Sequence, residues 1–228
     1  MKVLLIIPAY NEGENIERVI SMLNEGYPQY DYIIINDGSQ DNTEEICIKN
    51  GYNFISHPVN LGLAGAVKTG MMYAAQKGYD AAIQFDGDGQ HDPKYIEQMA
   101  QKIEEGYNIV IGSRFVNKKK PASLRMLGSN LIQLAIRLTT GAKITDPTSG
   151  MRMFDKGMIK RLSTAVDMAP EPDTVALLIR HGAKVCELQV SMNERIAGVS
   201  YLTLSRSINY MLRMFVSIII LQWFRREK

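Results

Sequence analysis

Three short polar clusters in this 228-residue chain carry side chains able to do chemistry. Pro8-Ala9-Tyr10-Asn11-Glu12, Asn36-Asp37-Gly38-Ser39 and Asp86-Gly87-Asp88-Gly89-Gln90 each follow an apolar run. Ligands of open α/β sheets sit beyond the carboxyl ends of the strands. If these three strands are neighbours, Glu12, Asp37, Asp86 and Asp88 therefore meet in one crevice. Four carboxylates together repel unless a cation or ligand donors balance them. The Asp86-x-Asp88 pair offers hard oxygens that suit Mg²⁺ or Mn²⁺ held partly through phosphates of a ligand. The plainer alternative is that acidic loops after strands cap helices, which suits Asp41 and Asp92.

Several other chemistries are excluded. The chain has no GxxxxGK[ST], since Lys68-Thr69 lies inside a helical pattern with Val67 where the glycine belongs. Gly62-Leu63-Ala64-Gly65 has the wrong spacing for GxGxxG, and no such motif follows the first strand. His57, His91 and His181 form neither an HExxH nor a Cys/His pattern; His91 reads as a ligand beside the acidic pair or as a solvated loop residue. Cys47 and Cys186 stand alone, which excludes a disulfide framework and fits a reducing cytosol.

The elements that must position these residues alternate. Val3–Ile7 and Tyr32–Ile35 are continuous apolar runs, the mark of strands buried on both faces of a parallel sheet. Tyr52–Ser56, Ala81–Phe85 and Asn108–Ile111 read as further strands. Asn15–Leu23, residues 42–50, Ala64–Lys77 and Pro93–Glu105 read as helices, the last with proline in its first turn. This β-α order predicts an α/β, doubly wound sheet with right-handed crossovers. The second half is less regular: a loop at Lys118–Pro121, a helix near Ser123–Thr139, a turn at Asp146–Gly150, a helix over Thr174–His181, a strand over Val185–Val190 and a last helix over Thr203–Phe224.

Charge divides the same way. The total is 26 Lys and Arg against 24 Asp and Glu, for a net charge of +2. Residues 1–112 hold 7 basic and 16 acidic side chains, and residues 113–228 hold 19 and 8. A basic half of this kind points to a polyanionic or membrane partner. Nothing reaches the roughly 18 apolar residues in a row expected of a membrane span, and the short N-terminal apolar run does not make a signal peptide.

The ordered set of motifs resembles family 2 glycosyltransferases with the GT-A fold. The resemblance runs from Pro8–Glu12 through Asn36-Asp37-Gly38-Ser39-x-Asp41, Asn60-Leu61-Gly62, Asp86–Gln90, Gly112-Ser113-Arg114 and Asp146–Arg152 to Glu194-Arg195-x-x-Gly198-x-Ser200. Within the family it is most similar to the polyprenyl-phosphate glycosyltransferases, the dolichyl-phosphate mannosyltransferase group and its bacterial relatives. It implies a mixed, mainly parallel sheet flanked by helices. Pro8, Tyr10, Glu12 and Asp37 would hold the base and ribose of a nucleotide-sugar. Asp86, Asp88 and Gln90 would hold Mg²⁺ or Mn²⁺ and the diphosphate. The family often has Ala or Leu where this chain has Gly87 and Gly89.

The same resemblance sets Arg125 and Ser129 against the phosphate of an acceptor lipid, with Arg114 and Arg195 as further candidates. Arginine suits this, because its planar fork pairs bidentately with phosphate oxygens. Local pairing on the surface is the alternative for these arginines, and a solvated loop is the first reading of Lys118–Lys120. A phosphate monoester is largely dianionic at neutral pH and needs no general base to attack the anomeric carbon. Asp146 is the best candidate for a base or an orienting residue, followed by Glu171 and Asp173; all three also fit turns or caps.

The expected product is a sugar moved, with inversion, from a nucleotide diphosphate to a polyprenyl phosphate. Transfer to a polysaccharide hydroxyl is the competing enzyme reading, and an inactive nucleotide-sugar binding module the competing non-enzyme one. Residues 1–202 form the catalytic domain, with a donor half of about 1–112 and an acceptor half of about 113–202. Residues 203–228 form an amphipathic helix for the membrane interface or for self-association, since Trp223 followed by basic residues fits a helix at headgroups. The expected partners are the donor, the lipid phosphate, the membrane surface, and a second copy or a small membrane protein, with no nucleic acid. The expected location is the cytoplasmic face of the membrane.

Overall fold

The computed structural model of the chain describes residues 1–165, 171–192 and 204–224. The first half runs β1 (Val3–Ala9), α1 (Ile16–Gly26), β2 (Asp31–Asn36), α2 (Thr43–Lys49), β3 (Phe54–Ser56), α3 (Gly62–Lys77) and β4 (Ala81–Gln84). A 3-10 turn at Pro93–Tyr95 leads into α4 (Ile96–Glu104), then β5 (Ile109–Ser113). The second half runs α5 (Leu124–Thr140), β6 (Arg152–Asp155), α6 (Lys156–Thr164), α7 (Pro172–Arg180), β7 (Val185–Gln189) and α8 (Leu204–Ile219), with a 3-10 turn at Leu221–Trp223.

The strands form one sheet in the order β3-β2-β1-β4-β6-β5-β7. Successive side chains of a strand face opposite ways, and β1 is apolar throughout because both faces are covered. Leu4 and Ile6 enter one core with Ile33 and Ile35 of β2. Val3, Leu5 and Ile7 enter the other with Ile34. Helices α1 and α4 close the second core through Ile16, Val19, Ile20, Ile96 and Met99. Helices α3, α5, α6, α7 and α8 close the first, through residues such as Val67, Ile136, Ile159, Leu178 and Ile218.

The sheet is mixed because β6 runs antiparallel between β4 and β5. Sequence reading places neither β6 nor α6. The strand is four residues long, begins with Arg152 and ends with Asp155, so it lacks the apolar run that marks a buried strand. Arg152 is only 3% exposed and donates from Nη2 to the Pro147 carbonyl at 2.7 Å. Asp155 caps α6 by accepting from Met158 N at 2.7 Å. The charged ends of the strand thus serve the turn before it and the helix after it.

Candidate active site

Strands β2, β1 and β4 lie side by side, so the loops that leave them share one edge of the sheet. The loops after β1 and β2 are sewn together by side chains. Asn11 N donates to Ser39 Oγ at 3.0 Å, and Gln40 N donates to Asn11 Oδ1 at 2.8 Å. Glu12 N donates to Thr43 Oγ1 and Gly13 N to Asp41 Oδ2, both at 3.0 Å. Burial alone would push the Asp41 carboxyl up, but hydrogen bonds from Thr43 and Gly13 outweigh it and hold it below its ordinary value. Asp41 therefore ties this corner, and Asp92 caps the turn before α4 by accepting from Lys94 N at 3.1 Å.

Asp37 begins the turn after β2 and is 3% exposed. Its Oδ1 faces His57 Nδ1 at 2.7 Å and accepts from Leu61 N at 2.9 Å, while Oδ2 accepts from Gly62 N at 2.8 Å. The carboxylate is thus committed to shaping the 57–62 loop. Gly38 adopts φ +69°, and a Cβ there would fall 2.7 Å from the Val59 and Asn60 backbone; only glycine combines that torsion with that approach. Tyr10, Gly38, Ser39, His57, Val59 and Asn60 are among the residues lining an open cleft of about 460 Å³ beside this turn.

The loop after β4 forms the next wall. The Asp86 side chain is 32% exposed, whereas Asp88 is 4% exposed and accepts from Gln90 N at 3.0 Å. His91 is 1% exposed rather than solvated. Its Nδ1 accepts from Asp86 N at 2.9 Å, which leaves the proton on Nε2, 3.3 Å from Asp86 Oδ2. The ring packs edge-on to Phe85, so a wedged imidazole holds both the backbone and the carboxylate of Asp86. Glu12 lies close by, its Cγ 3.9 Å from where a Cβ on Gly87 would stand, and its Oε2 accepts from Asn15 Nδ2 at 2.8 Å.

The turn at 146–150 reaches the same place. A Cβ on Gly150 would stand 3.2 Å from Asp86 Oδ2, so this turn abuts the acidic loop. Asp146 is wholly buried; it accepts from Arg114 N at 3.1 Å and Nε at 2.7 Å on Oδ2, and from Nη2 at 2.8 Å on Oδ1. Its carboxylate is thus committed to the backbone and guanidinium of Arg114. The Arg114 side chain keeps 25% of its surface exposed. Asp173 accepts from Ser217 Oγ at 2.6 Å, and Glu171 faces Arg213 at 3.5 Å, so both are engaged with α8.

Two residues here have roles that sequence reading misses. Glu187 of β7 accepts from Thr145 N (2.7 Å), Thr145 Oγ1 (2.8 Å) and Asp146 N (2.8 Å), anchoring the turn; the signal was a carboxylate inside an otherwise strand-like run. Lys120 is not part of a solvated run, although Lys118 and Lys119 are exposed. Its Nζ donates to Ser129 Oγ at 3.1 Å, Asn130 Oδ1 at 3.0 Å and Gln133 Oε1 at 3.2 Å. Burial pushes this ammonium below its ordinary pKa, against the pull of Asp146 and Glu187. Ser129 is fully buried beneath it. Arg125 lies in the first turn of α5, but its side chain, like the whole of Arg195, falls outside the described residues.

The polar loops after β1, β2 and β4 thus gather at one edge of the sheet, with the 146–150 turn against the Asp86 loop. The glycosyl transferase family 2 model matches residues 4–163. The chain belongs to that family and is a glycosyltransferase. It is 26% identical over 212 residues to polyprenol monophosphomannose synthase of Mycolicibacterium smegmatis, covering 87% of this chain and 80% of that one. It is 36% identical over 183 residues to UDP-N-acetylglucosamine–dolichyl-phosphate N-acetylglucosaminyltransferase of Methanococcus voltae, covering 71% and 72%. The fold matches glucosyl-3-phosphoglycerate synthase of Mycobacterium tuberculosis, solved with Mn²⁺ and UDP-glucose, at a TM-score of 0.68 and 17% identity over 100% of this chain and 80% of that one.

Proposed function

We propose that this glycosyltransferase moves a sugar, with inversion, from a nucleotide-diphosphate donor to a polyprenyl phosphate at the cytoplasmic face of a membrane. The observation that carries the reading is the abutment of the Asp86–Asp88 loop on the 146–150 turn, where a donor diphosphate and an acceptor phosphate can meet. Pro8, Tyr10 and Glu12 border the proposed donor subsite in the 1–112 half. Asp37 supports it from behind, by holding the loop that walls the cleft.

Among the described residues no three of His, Cys, Asp and Glu converge as a closed metal cage. The Asp86 and Asp88 carboxylates supply hard oxygen donors that fit Mg²⁺ or Mn²⁺, which take remaining ligands from phosphates. Asp86 and Asp88 would hold the ion, with Gln90 beside them; when bound, it neutralises charge on the departing nucleoside diphosphate. His91 fixes the Asp86 carboxylate in advance, so little ordering is left for the moment of binding.

On the acceptor side, Asp146 orients Arg114 towards the incoming phosphate, and Ser129, Arg125 and Arg195 complete the proposed set in the 113–202 half. A dianionic phosphate attacks without a base. A hydroxyl acceptor would need one, and among the described acceptor-side candidates Asp146 and Asp173 are buried while Glu171 pairs with Arg213. The deciding experiment incubates the protein with single UDP- or GDP-sugars, Mn²⁺ and a prenyl phosphate, then scores product in the organic phase. One donor should give a lipid-linked sugar, and Asp88→Ala should lose it by a hundredfold or more while keeping its circular dichroism. Full activity in Asp88→Ala would remove the acidic loop from the mechanism.

A further inference from the structure

Of the carboxylates around the cleft after β2, Asp37 is not free to read the base of a donor. Its Oδ1 already meets His57 Nδ1 and Leu61 N, which fills both lone pairs of that oxygen. Its Oδ2 serves Gly62 N, and the residue is 3% exposed. His57 is engaged as well, since its Nε2 lies 2.9 Å from Thr69 Oγ1. A bidentate pair needs a free lone pair on each carboxylate oxygen, so Asp37 cannot form one.

Glu44 can. It is the one carboxylate among the described residues that line the cleft. It stands exposed in the first turn of α2 and is held by a relay from the sheet. Asn36, the buried last residue of β2, accepts from Ser39 N on Oδ1 at 3.3 Å and donates from Nδ2 to Ser56 Oγ at 3.0 Å. That leaves the Ser56 hydroxyl proton for Glu44 Oε1, 2.9 Å away. Oε1 therefore keeps one lone pair, and Oε2 accepts no hydrogen bond among the described residues. The ends of β2 and β3 thus fix a carboxylate whose two oxygens are both open to a ligand. An acid in the first turn of a helix also complements the helix dipole, but that role needs no serine and asparagine behind it.

We infer that Glu44 reads the Watson–Crick edge of guanine, so that the donor is a guanosine rather than a uridine diphosphate sugar. This rests on the nucleotide-sugar reading above and names its base. Guanine presents N1–H and the N2 amino group side by side, two donors that match two carboxylate oxygens. Uracil presents a single N3–H between two carbonyls, so the second carboxylate oxygen would face a carbonyl oxygen. Asn60, whose Oδ1 accepts from Gly62 N at 3.0 Å, offers its Nδ2 to a base carbonyl, a contact that either base can use. Discrimination therefore falls to Glu44.

The test is calorimetric titration of the full chain with GDP, UDP and inosine diphosphate, each with Mn²⁺. GDP should bind about tenfold or more tighter than UDP, the discrimination of one bidentate pair. Inosine diphosphate lacks only the N2 amino group and should bind about tenfold more weakly than GDP. Glu44→Gln supplies one acceptor and one donor, which match N3–H and O4 of uracil. GDP should weaken by about tenfold in that variant, while UDP holds or tightens and the circular dichroism is unchanged. Inosine diphosphate bound as tightly as GDP overturns the inference without any variant. So does a folded Glu44→Gln that weakens both nucleotides alike, the mark of a glutamate that only shapes the fold. UDP bound as tightly as GDP, or more tightly, removes guanine and leaves the donor cleft standing. If none of the three binds, the donor cleft falls with it.

Discussion

Replacing Arg114 by leucine should cost the fold about 3–5 kcal/mol, the usual penalty for leaving a buried carboxylate without its partner. The size follows from the site: Asp146 has no exposed surface, and two of its three hydrogen bonds from Arg114 come from the guanidinium, at 2.7 and 2.8 Å. For a chain of this length each kcal/mol moves the melting temperature by roughly 2–4 °C, so the expected loss is roughly 6–20 °C. Asp146→Asn should cost less, about 1–3 kcal/mol, because the released Arg114 is part-exposed and water can take over. The double variant Arg114→Leu/Asp146→Asn should be more stable than the sum of the two losses predicts, by about 0.5–3 kcal/mol. Urea unfolding of the four proteins measures each value. If Arg114→Leu costs under about 1 kcal/mol, the pair is not the buried fork described. Activity separates positioning from proton transfer. Asp146→Asn should raise the acceptor KM and leave the pH profile of kcat in shape, whereas removal of a general base would lower kcat by about 10²–10⁴ and abolish one limb of the profile.

Two further outcomes are expected. Asp37→Ala removes the acceptor of Leu61 N, Gly62 N and His57, so it should destabilise by about 1–3 kcal/mol and raise the donor KM more than it lowers kcat; an unchanged KM would show that the 57–62 loop does not wall the donor. Burial pushes the Cys47 thiol from 9.0 up to about 11. Between those values the unfolded chain releases a proton that the folded chain keeps, so stability falls as pH rises through that window. Cys47→Ala should flatten that slope in urea midpoints taken from pH 8.5 to 10.5, and identical slopes would refute the assignment.

The early strands were legible because a parallel strand covered on both faces must be apolar throughout, and Val3–Ile7 and Tyr32–Ile35 are. The clusters at their ends were legible for the same reason: polar side chains that cannot enter the sheet collect where it stops. Strand β6 was not legible. Its burial depends on Arg152 finding the Pro147 carbonyl, a contact between a strand and the turn before it that leaves no periodicity. His91 was half legible, since its neighbours announced a site but nothing local showed that Phe85 and the Asp86 backbone would enclose the ring. Lys120 was misplaced because a run of three lysines looks solvated, and only the packing of α5 brings Ser129, Asn130 and Gln133 within reach of the third.

By itself the sequence determined which side chains are present to do the chemistry and which strands must be central, because those follow from residue type and period alone. Tertiary structure decided which carboxylates stay exposed and which are enclosed by partners. Asp86 remains accessible, Asp37 is spent on backbone amides of a loop more than twenty residues away, and Asp146 is sealed against Arg114 from another strand end. The leucines of α5 carry the same lesson. Sequence makes the helix apolar, but only the packing of α5 against the core and α8 shows which leucines are left facing outward. Burial and partnership are set by segments distant in the chain, and no local pattern encodes them.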